Sequence, residues 1–230
     1  MKHREISKGV YALETGFVRV FLLEHEGVLT LIDTGIPGMG EKILSAIESL
    51  GYDRKALKHI LITHFHMDHI GSLEEIKSRT GALVYVHKDE AATIGTVPAT
   101  EAAPGIAKKL MFELLIKKSR QTPQPSVPVD VTLEGGEILD FAGGLQVIAT
   151  PGHSPGHTSY FLSREGGILF VGDAASGGRL PGYPMLFNKK ETAIRSLALI
   201  GNMNFEKAYF SHGKPIESGA PGKFRKAFGV

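Results

Sequence analysis

The sequence predicts an α/β fold in one domain, built from two similar halves in which strands precede helices. Short apolar runs typical of buried strands alternate with segments whose apolar residues recur at helical spacing. This order of elements starts again in the second half, after a proline-containing segment of different character at 91–128. The length, 230 residues, suits a single domain over 1–230 with a helical insertion at about 91–128.

The first half contains five predicted strands and two predicted helices. The strands are Val10–Leu13, Phe17–Glu24, Gly27–Ile32, Lys58–Thr63 and Leu83–Val86. The first helix is predicted over Glu41–Leu50, with Gly51 as its C-terminal cap. The second is predicted from Ser72 to about Arg79, because Ser72 and Glu75 have the spacing of a capping box.

The second half offers the same kinds of element without a visible sequence repeat. Its predicted strands are Val131–Leu133, Leu145–Ala149, Thr158–Leu162, Ile168–Val171 and Lys207–Phe210. One helix is predicted over Lys189–Leu199. Two similar βα halves around one site fit this arrangement.

The insertion at 91–128 contains the helical run "IAKKLMFELLIKKSR" at 106–120. Its apolar face includes Met111, Leu114 and Leu115, and most of its basic residues lie off that face. The sequence leaves four interpretations open: a helix covering the core, a lid over a site, a dimer contact, or a helix on a membrane surface. As a lid, it would offer Met111, Leu114 and Leu115 to a substrate.

Composition excludes several classes of partner and site. The net charge of +2 is too small to favour nucleic acid or an anionic membrane as partner. The absence of cysteine excludes disulfides, thiolate metal ligands and a thiol nucleophile. No signal peptide or membrane span is predicted, so we expect a cytoplasmic protein that acts on a small molecule and can form a homodimer.

The stretch "THFHMDHIG" at 63–71 concentrates metal-ligand side chains after a predicted strand. Imidazole and carboxylate groups suit a borderline metal such as zinc. His64 and His66 are two residues apart in an extended segment, so they can reach one point. Asp68 and His69 are adjacent and diverge, which favours a second point nearby. The cluster therefore predicts two metal ions, if other segments supply further ligands.

Three further candidates each follow a predicted strand. His153 lies in "ATPGHSPGHTS", Asp173 in "LFVGDAAS" and His212 in "YFSHGKP". Functional groups commonly lie where a strand runs into a loop. A lone histidine at such a place is more often structural, but together with the cluster at 64–69 these residues predict a complete ligand set.

The pattern His-x-His-x-Asp-His, followed by separate His, Asp and His residues, resembles the ligand signature of the metallo-β-lactamase superfamily. "LIDTG" at 31–35, "TPGHSPGHT" and "FVGDA" are similar to other segments of that family. The resemblance runs from about residue 10 to 213. It implies a four-layer αββα sandwich with the metal site at one edge of the sheets.

The resemblance also implies roles for individual residues. His64, His66 and His153 would hold one metal, Asp68, His69 and His212 the other, and Asp173 would bridge them. The cofactors would be two divalent ions; zinc is favoured, and manganese, iron or cobalt would fit the same ligands. Asp68 would also accept or donate a proton. Asp33 would hydrogen-bond to a ligand imidazole, and His157 would either do the same or make a structural hydrogen bond.

Two metal ions sharing a water would generate hydroxide at neutral pH and polarise a substrate oxygen. Without cysteine, the chain departs from the commonest zinc β-lactamases and resembles the glyoxalase II and N-acyl homoserine lactonase branch. Those lactonases carry a tyrosine where this chain has Ser176, and Tyr183 is the nearest tyrosine downstream. We therefore expect hydrolysis of a small ester, thioester or lactone. The alternatives are an iron-dependent persulfide dioxygenase and a metal-binding sensor without turnover.

Overall fold

The structure, a computed structural model, describes residues 1–92 and 127–230 together with the backbone of Glu101–Ala102. Most of the predicted insertion, including Met111, Leu114 and Leu115, lies outside the described residues. None of the helices within the described ranges combines the length and apolar character that a membrane span requires.

The first sheet has seven strands in the order β1-β2-β3-β4-β5-β6-β8. They are β1 (His3–Ser7), β2 (Val10–Glu14), β3 (Arg19–His25), β4 (Val28–Ile32), β5 (Leu57–Leu61), β6 (Leu83–His87) and β8 (Val131–Leu133). The strands from β1 to β4 pair antiparallel, and those from β4 onward pair parallel. The carboxyl ends of β4, β5 and β6 therefore lie at the same edge of the sheet.

The second sheet has five strands in the order β14-β12-β11-β10-β9. They are β9 (Ile138–Leu139), β10 (Leu145–Ala149), β11 (Thr158–Leu162), β12 (Ile168–Gly172) and β14 (Lys207–Phe210). β12 and β14 pair parallel, so the loops after both strands leave the sheet at one edge. A small separate sheet pairs β7 (Glu101–Ala102) antiparallel with β13 (Leu186–Phe187).

Helices cover the outer face of each sheet. They are α1 (Gly40–Ser49), α2 (Met67–Ile70), α3 (Leu73–Thr80), α4 (Lys88–Ala91), α5 (Lys190–Asn202) and α6 (Ala220–Phe228). Ile47 of α1 and Ile76 of α3 pack in one core with Leu31 of the first sheet. Leu197 of α5 and Phe224 of α6 pack with residues of the second sheet.

A third core joins the two sheets face to face. Phe21 of β3 and Phe170 of β12 meet there with ring centroids 4.9 Å apart. Side chains alternate along β12: Phe170 faces this core, whereas Leu169 and Val171 face the helices. The predicted four-layer αββα sandwich is confirmed.

One local prediction was wrong. Ser72 occupies the N-cap position of α3, but its side chain makes no capping bond to the helix. Its hydroxyl instead donates to the Ile36 carbonyl (2.7 Å) and accepts from the Met39 amide (2.9 Å). The Ser72 hydroxyl therefore stabilises the loop before α1 and does not cap the N-terminus of α3.

Candidate metal centre

Loops from both sheets converge at one edge of the sandwich. The loop after β5 and the short helix α2 carry His64, His66, Asp68 and His69. The loops after β10, β12 and β14 carry His153, Asp173 and His212. The structure brings all seven predicted ligands into three overlapping groups. The first is His64, His66 and His153, the second is Asp68, His69 and His212, and a third, His64, His69 and Asp173, shares one residue with each of them.

The first group places three imidazole nitrogens at the corners of a small triangle. His64 Nε2 lies 2.9 Å from His66 Nδ1, which lies 3.0 Å from His153 Nε2. The third side, between His64 Nε2 and His153 Nε2, is 3.1 Å. A tetrahedral zinc ion bound at its usual distance would hold such nitrogens about 3.3 Å apart. The triangle is therefore close to the size that one ion requires.

Hydrogen bonds on the far side of two of these rings set their tautomers. His153 Nδ1 donates to the Leu186 carbonyl (3.0 Å), so its Nε2 carries a lone pair. Thr63 Oγ1 donates to Asp33 Oδ2, so it accepts from His64 Nδ1 (3.0 Å), and His64 Nε2 also carries a lone pair. The two Nε2 lone pairs face each other and repel unless a cation lies between them.

The second group joins Asp68, His69 and His212. Asp68 Oδ2 lies 3.1 Å from His212 Nε2 and 3.8 Å from His69 Nε2. His212 Nδ1 donates to the Phe17 carbonyl (3.1 Å), which directs its Nε2 toward the two carboxylates of the cluster. The group thus has the donor set of a second metal site.

Asp173 lies between the two groups. Its Oδ2 is 3.7 Å from His153 Nε2 and 3.5 Å from His212 Nε2, and its Oδ1 is 3.7 Å from His69 Nε2. Within the described part of the chain, both Asp173 Oδ1 and His69 Nε2 are buried without a hydrogen-bond partner. Unpaired buried polar atoms are costly, and a cation between them would remove that cost. These residues therefore fit a divalent metal.

Asp33 lies behind the cluster and is 1% exposed. Its Oδ2 accepts from His69 Nδ1 and from Thr63 Oγ1, both at 2.8 Å, and its Oδ1 accepts from the Thr63 amide at 2.8 Å. This carboxylate fixes the His69 ring directly and the His64 ring through Thr63. The structure thus places Asp33 against the imidazole of His69, which is one of the predicted ligands. Thr63 was not predicted, because a hydroxyl next to a histidine is too common a pattern to stand out.

His157 supports the backbone of a predicted ligand. Its Nε2 accepts from the Asp173 amide (2.9 Å), so its proton is on Nδ1, which donates to Thr150 Oγ1 (2.8 Å). Burial and the neighbouring His153 hold the pKa of His157 well below its usual range, which keeps the ring neutral. Of the two roles left open by the sequence, the structure shows the structural hydrogen bond.

The carboxylates of the cluster stay ionised and most of its imidazoles stay neutral. Burial opposes ionisation of Asp68, but His69 and a hydrogen bond from His212 lower its pKa to about 2. His212 and His69 likewise overcome burial and hold the pKa of Asp173 well below its usual range. Burial and nearby His66 lower the pKa of His153 to about 4. The carboxylate charges and the lone pairs of His64, His66 and His153 therefore suit a cation. The carboxylates raise the pKa values of His69 and His212, so these two rings must release a proton when a metal binds.

The metal-free protein is expected to lose stability as the pH falls from 6.5 to 4. In this window the unfolded chain protonates His153, whose ordinary pKa is 6.5, whereas the folded protein does not until about 4. Because the unfolded state binds more protons, the free energy of unfolding falls by about 3 kcal/mol for this residue alone. His64 and His157 act in the same direction, since burial lowers their pKa values too.

Urea unfolding of chelator-treated protein across that pH range measures this loss. His69 and His212 have raised pKa values because of Asp33, Asp68 and Asp173, so they are protonated in both states below pH 6.5 and offset none of it. A free energy of unfolding that is constant or higher at pH 4 would contradict the prediction.

The predicted substrate residues receive less support. Ser176 Oγ lies 3.3 Å from both the Gly182 and the Tyr183 carbonyls, so its hydroxyl binds its own loop. The Tyr183 ring packs against Phe187 and Phe228. Sequence reasoning missed Phe17, which is 69% exposed and stacks on His212 with ring centroids 5.8 Å apart. The sequence predicts a strand that starts at Phe17, whereas β3 begins two residues later, at Arg19.

Comparison with known proteins agrees with this fold. The family model described as "Metallo-beta-lactamase superfamily" matches residues 13–212. The chain belongs to the metallo-β-lactamase superfamily. It is similar to the probable metallo-hydrolase YflN of Bacillus subtilis (strain 168), at 30% identity over 92% of this chain and 86% of that protein.

Two further relatives bear on activity and fold. A hydroxyacylglutathione hydrolase of Rhodospirillum rubrum is 30% identical over 74% of this chain and 53% of that protein. The crystal structure of a metallo-beta-lactamase family protein from Thermus thermophilus matches 96% of this chain and 79% of its own, with a TM-score of 0.73 and 25% identity. The chain thus belongs to a metallo-hydrolase superfamily, and its relatives include a hydroxyacylglutathione hydrolase.

Proposed function

We propose that the protein is a dinuclear metal-dependent hydrolase that cleaves a small acyl compound, an ester, thioester or lactone. The observation that carries the proposal is the position of Asp173 between two ligand groups, with distances of 3.5–3.7 Å to a histidine of each. A single-ion site would need no carboxylate shared between six other donors. The similarity to a hydroxyacylglutathione hydrolase supports the acyl class of substrate.

His64, His66 and His153 would hold one ion, Asp68, His69 and His212 the other, and Asp173 both. When bound, the pair of ions supplies Lewis acidity and lowers the pKa of a water toward neutrality. Asp33 and the Leu186 carbonyl keep the ligand rings in the tautomers that present Nε2 to the site. Asp68 is ionised and its side chain is 26% exposed, so it can take a proton and return it to the departing group.

Protein purified without chelators is expected to hold two divalent ions per chain, with zinc favoured among metals that accept nitrogen and oxygen ligands. Elemental analysis gives the stoichiometry, and a panel of lactones, thioesters and phosphodiesters gives the reaction class. Removal of the metal should abolish turnover, and zinc should restore it.

Two outcomes would replace this proposal with one of its alternatives. One tightly bound iron per chain, with oxygen consumption on a persulfide, would indicate a dioxygenase. Two bound ions without turnover on any acyl or phosphodiester substrate would indicate a metal-binding protein that does not catalyse hydrolysis.

A further inference from the structure

Glu90 is a buried carboxylate outside the ligand set. It belongs to the short helix α4, directly after β6, and is 1% exposed. Its two oxygens accept from backbone amides of two different loops: Oε2 from Phe65 N (2.9 Å) and Oε1 from Gly156 N (2.8 Å). Hydrogen bonds to an ionised acceptor are stronger than bonds between neutral groups, so each amide is firmly held.

These two amides lie inside the loops that carry the first ligand group. Phe65 stands between His64 and His66, and Gly156 follows His153 by three residues. The His64 and His66 loop leaves the first sheet, whereas the His153 loop leaves the second. One carboxylate therefore bridges the two loops between which the triangle of nitrogens, with sides of 2.9–3.1 Å, must close. It does so beside the bond from the Thr158 amide to the Thr63 carbonyl (2.9 Å).

The packing around Gly156 shows that this contact is close. A Cβ atom at Gly156 would lie 2.6 Å from His87 Nδ1 and 2.7 Å from the Glu90 amide nitrogen. Glycine is thus needed there because the loop approaches the His87–Glu90 segment directly. Any larger residue would push the His153 loop away from Glu90.

We infer that Glu90 is a positioning residue that sets the geometry, and hence the metal affinity, of the His64, His66 and His153 site. The inference rests on the proposed metal centre. The second group depends on other contacts: Asp33 orients His69, and the Phe17 carbonyl orients His212. Loss of the Glu90 carboxylate should therefore weaken one site and spare the other.

The test uses Glu90→Gln in two single-site backgrounds. His212→Ala removes a residue of the second site, so the first site should bind zinc more tightly in that protein. His153→Ala removes a residue of the first site, so there the second site should bind zinc more tightly. In the His212→Ala protein, Glu90→Gln is expected to raise the zinc dissociation constant about 10–100-fold, the usual effect of removing a partner behind the ligands. In the His153→Ala protein it should change nothing. Chelator competition with zinc alone measures both constants, and cobalt spectra report the ligand geometry.

Glu137→Gln is the matched control. Glu137 also accepts two backbone amides, those of Glu134 (2.6 Å) and Gly135 (2.8 Å), but in a loop without ligands. The Glu137→Gln substitution should leave the zinc dissociation constants of both sites unchanged. If Glu90→Gln does not fold, Glu90→Asp keeps the charge, cannot span both loops, and should show the same selective loss.

Equal weakening in both backgrounds, or no change in either, would overturn the inference and assign Glu90 to general stability. Failure of the parent protein to bind zinc at all would overturn the metal centre itself. Two normal zinc sites in the parent and unchanged sites in the Glu90 variant would overturn the positioning role alone.

Discussion

Replacing Asp173 by alanine is expected to lower kcat/KM by at least about 10³-fold, because one side chain serves both ligand groups and metal ions contribute several kcal/mol to catalysis. The same change should reduce metal content below two ions per chain. The fold should survive. The Asp173 amide keeps its bond to His157 Nε2, and Asp173 Oδ1 has no hydrogen-bond partner among the described residues to lose.

Three measurements on one preparation test this prediction. Metal analysis gives the metal content, steady-state kinetics gives kcat/KM, and circular dichroism reports whether the fold is retained. Asp140→Asn, at an exposed aspartate outside the cluster, serves as the control and should behave as the parent. Near-normal turnover in Asp173→Ala would show that the ligand assignment is wrong at its centre.

Replacing Asp33 by asparagine should weaken metal binding by about 10–100-fold and lower the free energy of unfolding by about 2–3 kcal/mol. The carboxylate accepts three hydrogen bonds, from the Thr63 amide, the Thr63 hydroxyl and His69 Nδ1. The side-chain amide of asparagine has only one oxygen, so it cannot accept hydrogen bonds at both positions that the two carboxylate oxygens of Asp33 occupy. Either its NH₂ group meets the Thr63 amide donor, or His69 changes tautomer and turns an N–H toward the ions.

Asparagine isolates the effect of the carboxylate from that of the backbone. Asp33 has a φ of 61°, in the left-handed region, which asparagine tolerates and alanine does not. Thr63→Val is the companion variant, because it frees His64 Nδ1 while Asp33 still holds His69. Zinc competition and urea unfolding measure both proteins. Parent-like affinity in Asp33→Asn would show that the His69 tautomer is set elsewhere.

Strands of the central layers could be predicted because their pattern is local. Val131–Leu133, Leu145–Ala149, Thr158–Leu162 and Lys207–Phe210 occur with the predicted bounds. β1 escaped prediction because most of its residues are exposed and polar, so no apolar run marks it. Helix α6 was not predicted, because Pro221 and Gly222 are poor helix formers. Proline is nevertheless tolerated in the first turn of a helix, and burial of Phe224 stabilises α6.

The candidate ligands could be found because their residue types and spacing are themselves the signal. The groups that orient them could not. The Leu186 carbonyl binds His153 across 33 positions, and Glu90 reaches Gly156 across 66. A backbone carbonyl has no sequence signature, and a glutamate in a polar turn resembles any surface glutamate. Such partners become visible only when the fold brings distant segments together.

The hydrogen bond between His212 and the Phe17 carbonyl joins residues that are 195 positions apart. This contact can therefore form only after nearly the whole chain has been synthesised. The ribosome releases the four candidate ligands at 64–69 long before His212 emerges. Closing so long a loop is also entropically costly and slow. The complete set of candidate ligands therefore forms only once both halves of the chain have folded into the sandwich.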